Sequence, residues 1–277
     1  MSASKLKNLI LLILALCVAF LLAAVVPNRL EQGRAQRALY DQLTQLYEKN
    51  GLQLALDALP QSAALYAVEL PDDGAQTAAK ALLGENAVAD DASTSFLRQY
   101  GSAFGTVCVS RDGAVTAELH GMEPVQDPEA AARKLAEAAG CQVYALRPAV
   151  RQSAGSYVIP VEQSLLGVPV FSHTLEFTFV NGALSAVNGT LCPSVQTVSR
   201  TSAQKSLSCA DALVRFLGAT DALGWLGASV TGAEQGYIRT ETAASSARFV
   251  PVWRIATDSD SFLVNGLTGE VSRIGAE

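Results

Sequence analysis

Near the N-terminus, Leu9–Val26 (LILLILALCVAFLLAAVV) is an uninterrupted apolar run without a single charge. As a helix it is about 27 Å long, at ~1.5 Å rise per residue. With its flanks, Leu6 to Pro27, it matches the hydrocarbon thickness of a bilayer. A charged side chain at its centre would cost about 2.5–3.5 kcal/mol on insertion, and none is there. A run this long exceeds the ~7–15-residue apolar core of a cleaved signal peptide. Ala23-Ala24-Val25-Val26-Pro27 is also a poor cleavage site. Lipid attachment at Cys17 is disfavoured because Leu16 is too bulky for the preceding position. The reading is therefore an uncleaved single-pass anchor over residues 9–26, behind a short cytoplasmic tail, 1–8.

Flanking charge does not orient the anchor, because Lys5 and Lys7 oppose Arg29, Arg34 and Arg37. The expectation of a cell-membrane protein with an extracytoplasmic C-terminal domain rests on the usual behaviour of N-terminal anchors of this type. Ala15, Ala19 and Ala23 are spaced four apart and share one helix face. Small side chains in such a row let a second transmembrane helix approach closely. They are the candidate partner-binding residues.

Beyond the anchor every acidic residue of the chain is found, and the net charge of the whole is −6. An acidic surface repels phosphate backbones, so nucleic acid is not expected as a partner. Of the five cysteines, four (Cys108, Cys141, Cys192, Cys209) follow the anchor. None forms a Cys-x-x-Cys pair, which speaks against structural zinc. Four thiols allow three disulfide pairings, and small buried apolar side chains are the simpler reading.

The remaining chain reads as α+β. Residues 27–50 form a juxtamembrane helix in which Leu39, Leu43 and Leu46 keep an i, i+4, i+7 spacing. It ends at Asn50-Gly51 and is either a stalk or an amphipathic helix of the first domain. A first α+β unit spans 51–148. Strands are expected at Ala63–Leu70, Thr94–Gln99, Gly105–Ser110, Ala114–His120 and Cys141–Leu146, and helices at Ala75–Leu83 and Pro128–Ala139. Asp127 caps the second helix, with proline at its first position. A second unit spans 149–277, after a weak linker at Arg147–Gly155. Its strands are Ser156–Val161, Pro169–Val180, Ala183–Leu191, Ala228–Glu241, Arg248–Asp258, Ser261–Val264 and Val271–Ile274, with a helix at Ser208–Leu217 ended by Gly218. Asp112-Gly113 and Asn181-Gly182 are hairpin turns. Few helices and mostly antiparallel strands are expected throughout.

The sequence contains no nucleophile elbow, phosphate loop or dinucleotide glycine motif. His120 and His173 lack a metal-binding spacing and read as structural. Asp258-Ser259-Asp260 lacks the glycine and distal glutamate of a calcium loop and reads as a turn. Phe171, Phe177 and Phe179 share parity, so they should face one side of the sheet, as core or as the wall of a groove. No enzyme activity, metal or cofactor is expected. An enzyme would require a polar cleft joining His120 or His173 to several acids.

One resemblance adds to this. Phe249-Val250-Pro251-Val252-Trp253-Arg254-Ile255, followed by Phe262 through Val271, resembles the closing hairpin of PepSY-like modules. Gln163, Gly167-Val168-Pro169-Val170-Phe171 and Asn181-Gly182 resemble their preceding strand pair, and Gly236-Tyr237-Ile238 fits between. With the N-terminal anchor and this length, the chain resembles the YycH/YycI family of regulators. The resemblance implies a non-enzymatic membrane protein that acts with a YycH-like companion. Its implied partner is a two-component sensor histidine kinase that controls cell-wall metabolism. A PepSY-type binding or protease-inhibitory module is the other function it implies.

Overall fold

A computed structural model describes residues 33–71, 74–90, 93–94, 96–192, 199–240 and 246–274. Leu9–Val26, with Ala15, Ala19 and Ala23, lies outside them. Among the described residues, no helix is long and apolar enough to cross a membrane.

The described residues form an α+β fold, with four helices among them against a large, mainly antiparallel sheet. The helices are α1 (residues 33–49), α2 (Ala75–Leu83), α3 (Pro128–Ala138) and α4 (Cys209–Ala219). The strands that position the site are β2 (Val68–Pro71), β4 (Leu97–Ser102), β5 (Gly105–Ser110), β6 (Ala114–Leu119), β7 (Val143–Leu146), β8 (Val150–Ser153), β9 (Ser156–Leu165), β10 (Val168–Val180), β11 (Ala183–Thr190), β13 (Ser229–Thr240), β14 (Ser246–Thr257), β15 (Ser261–Asn265) and β16 (Val271–Arg273). Short strands β1 (Gln53–Leu54), β3 (Val88–Ala89) and β12 (Ser199–Arg200) extend the edges.

β10 joins two halves of the sheet. From Thr174 on it lies between β9 and β11, and β11 continues through β6 and β5 to β4. Its first two residues pair with the end of β9, and Val170 then meets Tyr237 of β13 in parallel; β13 leads to β14, β15 and β16. The residues on either side of 148/149 thus share one sheet: β11 of the second stretch pairs with β6 of the first.

Local signals explain most elements. The Asp127 side chain accepts the Ala130 amide at 3.0 Å, capping α3. Ser208 and Asp211 form a reciprocal capping box at α4. Asn181 and Gly182 both hold positive φ, 52° and 82°, as a tight β10–β11 turn requires. The buried faces of α2 and α3 are rich in alanine (Ala75, Ala78, Ala79, Ala132, Ala136), so both helices sit close to the sheet over Val107, Ala117, Ile159, Phe177 and Phe179.

Four sequence expectations are corrected. Residues 63–67 are not strand, since their backbone is held by other groups. Ala63 exchanges hydrogen bonds with the Gln235 side chain at 2.7 and 3.0 Å, and its neighbours receive the amides of Ser206 and Thr201. The linker at 147–155 contains β8, which pairs antiparallel with β9 through a turn at Gly155 (φ 78°). Gly218 does not end α4, which runs on to Ala219. On α1 the buried stripe is Tyr40, Leu43 and Tyr47, while Leu39 and Leu46 are exposed. Two stripes compete on this helix. The tyrosine stripe wins because its hydroxyls find acceptors: Tyr40 donates to the Leu56 carbonyl at 2.5 Å and Tyr47 to that of Leu213 at 2.9 Å. α1 is therefore an integral helix, packed with Phe216, Trp225, Trp253 and Phe262 in one core cluster.

Candidate functional site

Where β10 passes between the two halves, its pairing with β9 is irregular from Pro169 to Thr174. The gap is a cleft of about 320 Å³, lined by Arg147, Glu162, Phe171, Glu176 and Arg254 among others. Arg147 donates through Nε and Nη2 to Glu162 Oε1 at 2.7 and 2.5 Å. Arg254 is paired with Glu234 and lies 4.3 Å above the Phe171 ring. The Tyr144 hydroxyl donates to Glu234 Oε1 at 3.0 Å. Desolvation raises the Tyr144 pKa, and Glu234 raises it further, so the phenol remains a donor. Both guanidiniums thus have carboxylate partners, and Glu176 adds a further carboxylate to the wall. The cleft offers hydrogen-bonding groups, one aromatic face and fixed charges, which are features of recognition.

Phe171 corrects the parity expectation. Phe177 and Phe179 are buried beneath α2 and α3, but Phe171 faces the cleft beside Thr174 and Glu176. The irregularity between Pro169 and Thr174 resets the alternation, as a bulge does. Period-two reading of a sequence cannot register such a reset.

Neither histidine lines the cleft. His120 is exposed just after β6. His173 is 1% exposed, with Nδ1 2.9 Å from the Ser172 hydroxyl and its ring 5.2 Å from that of Phe249. Its Nε2 has no hydrogen-bond partner among the described residues. Burial, then the Arg239 charge, lowers its pKa to about 4 from 6.5. The unfolded chain binds this proton near pH 6.5 and the folded chain only near 4, so stability is complete above pH 6.5 and is lost as pH falls between those values. The loss reaches about 3 kcal/mol, at ~1.4 kcal/mol per pH unit. Chemical denaturation at pH 7 and pH 4.5 should therefore show a smaller acid loss in His173→Leu than in the parent. Equal losses in the two proteins would contradict it.

The other singled-out residues have structural surroundings. Asp258 Oδ2 accepts the amides of Ala228 and Ser229 at 2.8 and 3.2 Å, and Asp260 pairs with Arg273 at 2.9 Å. Among the described residues, no group of three or more His, Cys, Asp or Glu side chains is placed to hold a metal. Phe249, Trp253 and Phe262 are fully buried. The sequence marks Gln163 only as part of the strand-pair resemblance and gives no sign of its burial, and the Tyr40–Tyr47 stripe is likewise not apparent there. Tyr40, Leu43 and Tyr47, spaced i, i+3, i+7, are the available signal for the second.

The class defined here is an α+β protein whose two sheet halves share one long strand beside a charged cleft. No protein-family model matches the chain, and no curated protein matches its sequence. Among solved structures, an uncharacterized protein from Eubacterium rectale matches with a TM-score of 0.50 at 12% identity, covering 80% of this chain and 90% of its own. At that identity the likeness concerns the fold alone. The C-terminal domain of Bacillus megaterium YpeB aligns at a TM-score of 0.38 and 12% identity, over 74% of this chain and 98% of that domain, too distant to bear on the site.

Proposed function

We propose that this chain is a non-enzymatic, membrane-anchored regulator of a two-component sensor histidine kinase that controls cell-wall metabolism. In this reading Leu9–Val26 spans the cell membrane, and the Ala15, Ala19 and Ala23 face packs against a transmembrane helix of the kinase or of a YycH-like companion. The extracytoplasmic domain reports its state through α1. No chemical step is required, because a partner helix that packs better against one kinase state shifts the balance between states.

The observation that supports this reading is the seating of α1. The helix follows the apolar run closely in sequence, buries Leu43 and Tyr47 in the domain core and packs half-buried Tyr40 against it. A helix held in this way transmits a displacement of the domain to whatever precedes it, whereas a loose tether absorbs it.

The test uses the full chain co-reconstituted with its kinase in liposomes. Ala19→Leu should remove on the order of 1 kcal/mol of packing and shift kinase output about fivefold. Unchanged output at equal protein levels would refute the helix contact. The charged cleft favours a second reading, a PepSY-type binding or protease-inhibitory module anchored only for location. In that case the anchor expressed alone leaves the kinase silent and Phe171→Ala abolishes function.

A further inference from the structure

The cleft beside β10 carries more hydrogen-bond acceptors than its own groups use. Arg147, Arg254, Glu162 and Glu176 line it, and Arg254 is paired with Glu234. Two arginines thus meet three carboxylates, an excess of one negative charge. Both arginines are committed. Arg254 donates to Glu234 Oε2 and lies 4.3 Å above the Phe171 ring. Arg147 spends Nε and Nη2 on a single oxygen, Glu162 Oε1. Glu234 is committed as well, because its Oε1 accepts the Tyr144 hydroxyl at 3.0 Å. Three acceptors on the lining are left without a partner among the described residues: Glu162 Oε2, the Glu176 carboxylate and the Thr174 hydroxyl. They are neighbours in the β9–β10 ladder. Thr174 stands opposite Glu162 and Glu176 opposite Pro160, so Glu176 is diagonal to Glu162. Diagonal positions are about 7–8 Å apart, close enough for two carboxylates to reach one nitrogen set between them. The rest of the lining, Pro160, Pro169, Val170 and Phe171, is apolar.

We propose that this cleft binds a primary alkylammonium group, carried by a lysine side chain or by a small free amine. The proposal rests on the second reading above, that of a binding module, and not on the kinase contact. An ammonium brings three N–H donors, one for each uncommitted acceptor. Its charge also balances the excess carboxylate. Its methylene stem lies along the apolar part of the lining while the charged head meets the polar part, as amphipathic side chains do. A guanidinium suits the set less well. Its donors form a flat fork that matches one carboxylate, not three acceptors from three residues. An anion would have to displace a carboxylate from Arg147 or Arg254 and would face Glu176 at the same time, a like-charge contact that recognition sites avoid. The cleft exists because β10 leaves β9 between Pro169 and Thr174, so the binding place is set by the same irregularity that joins the two sheet halves.

The test uses the full chain in detergent micelles, with threonine and valine methyl groups labelled for NMR. The probes are Nα-acetyl-lysine methylamide, n-butylammonium, Nα-acetyl-norleucine methylamide and Nα-acetyl-glutamate methylamide. The lysine probe and n-butylammonium should move the Thr174 and Val170 methyl signals saturably, while the neutral and acidic probes leave them in place. Tighter binding of the lysine probe identifies a peptide side chain as the source of the ammonium, and equal binding identifies a free amine. Glu176→Gln keeps the shape of an exposed side chain and should weaken lysine binding about tenfold, the worth of one charge-assisted hydrogen bond. Unchanged affinity in that variant would refute the three-acceptor site. A response to the norleucine or glutamate probe that equals or exceeds the response to lysine would overturn the ammonium assignment while keeping the cleft as a binding site. No response to any of the four would overturn the binding-module reading with it. The titrations of the parent decide the ligand class whether or not the variant folds.

Discussion

Trp253→Ala will cost about 4 kcal/mol of unfolding free energy, within the range for deleting a buried tryptophan. Trp253 is fully buried on β14, between Gln235 of β13 and Val264 of β15. It belongs to the cluster that gathers α1, α4 and the β13–β15 strands, where Phe216 meets Trp225 at 5.2 Å and Phe262 at 5.1 Å. Its indole Nε1 also donates to the Leu207 carbonyl at 2.9 Å, just ahead of α4. Truncation leaves a cavity among rigid rings that cannot collapse and strands that carbonyl. Trp253→Phe keeps most of the volume and should cost about half as much. Urea titrations of the three proteins check the order. An alanine variant within about 1 kcal/mol of the parent would mean that this cluster does not hold α1 and α4 to the sheet.

The second large effect is expected at Gly189, where valine should cost about 3–5 kcal/mol. Gly189 stands opposite Leu175 in the β10–β11 ladder and opposite Val115 in the β11–β6 ladder. Its φ is +133°, and a Cβ would be driven into the Thr174 carbonyl oxygen and lie 3.0 Å from the Leu175 Cα. Both obstacles are backbone of the strand that joins the sheet halves, so neither can move aside alone. The damage should be local as well as energetic. Hydrogen exchange should accelerate in β10 and β11 well before β14 and β15. Uniform protection with unchanged stability would show that β10 tolerates the shift.

The reading of individual elements from the chain worked best where signals are local. Gly105–Ser110 is strand with the expected limits, and Ala75–Leu83 is helix likewise. Asp127 caps α3, and Asn181-Gly182 turns the β10–β11 hairpin, because caps and turns depend on a few adjacent residues. The cleft was not legible in this way. Arg147 follows the end of β7 while Glu162 is on β9, Arg254 and Glu234 belong to another pair of strands, and Phe171 enters only because β10 loses its alternation there. Each of these residues looks in the sequence like an ordinary surface charge or core aromatic.

What the order of residues determined by itself is the α+β class, the existence and type of most helices and strands, the acidic balance, and the apolar run of Leu9–Val26. These follow from periodicity, capping and composition, all of which act over a few neighbours. Tertiary structure alone decided which stripe of α1 is buried, how β10 divides between two neighbours, that Gln163 is buried against the backbone of Thr190 and Cys192, and that His173 is sealed from the cleft. Such outcomes depend on which hydrogen-bond acceptors and apolar faces distant segments bring to the same place, and no local pattern encodes that.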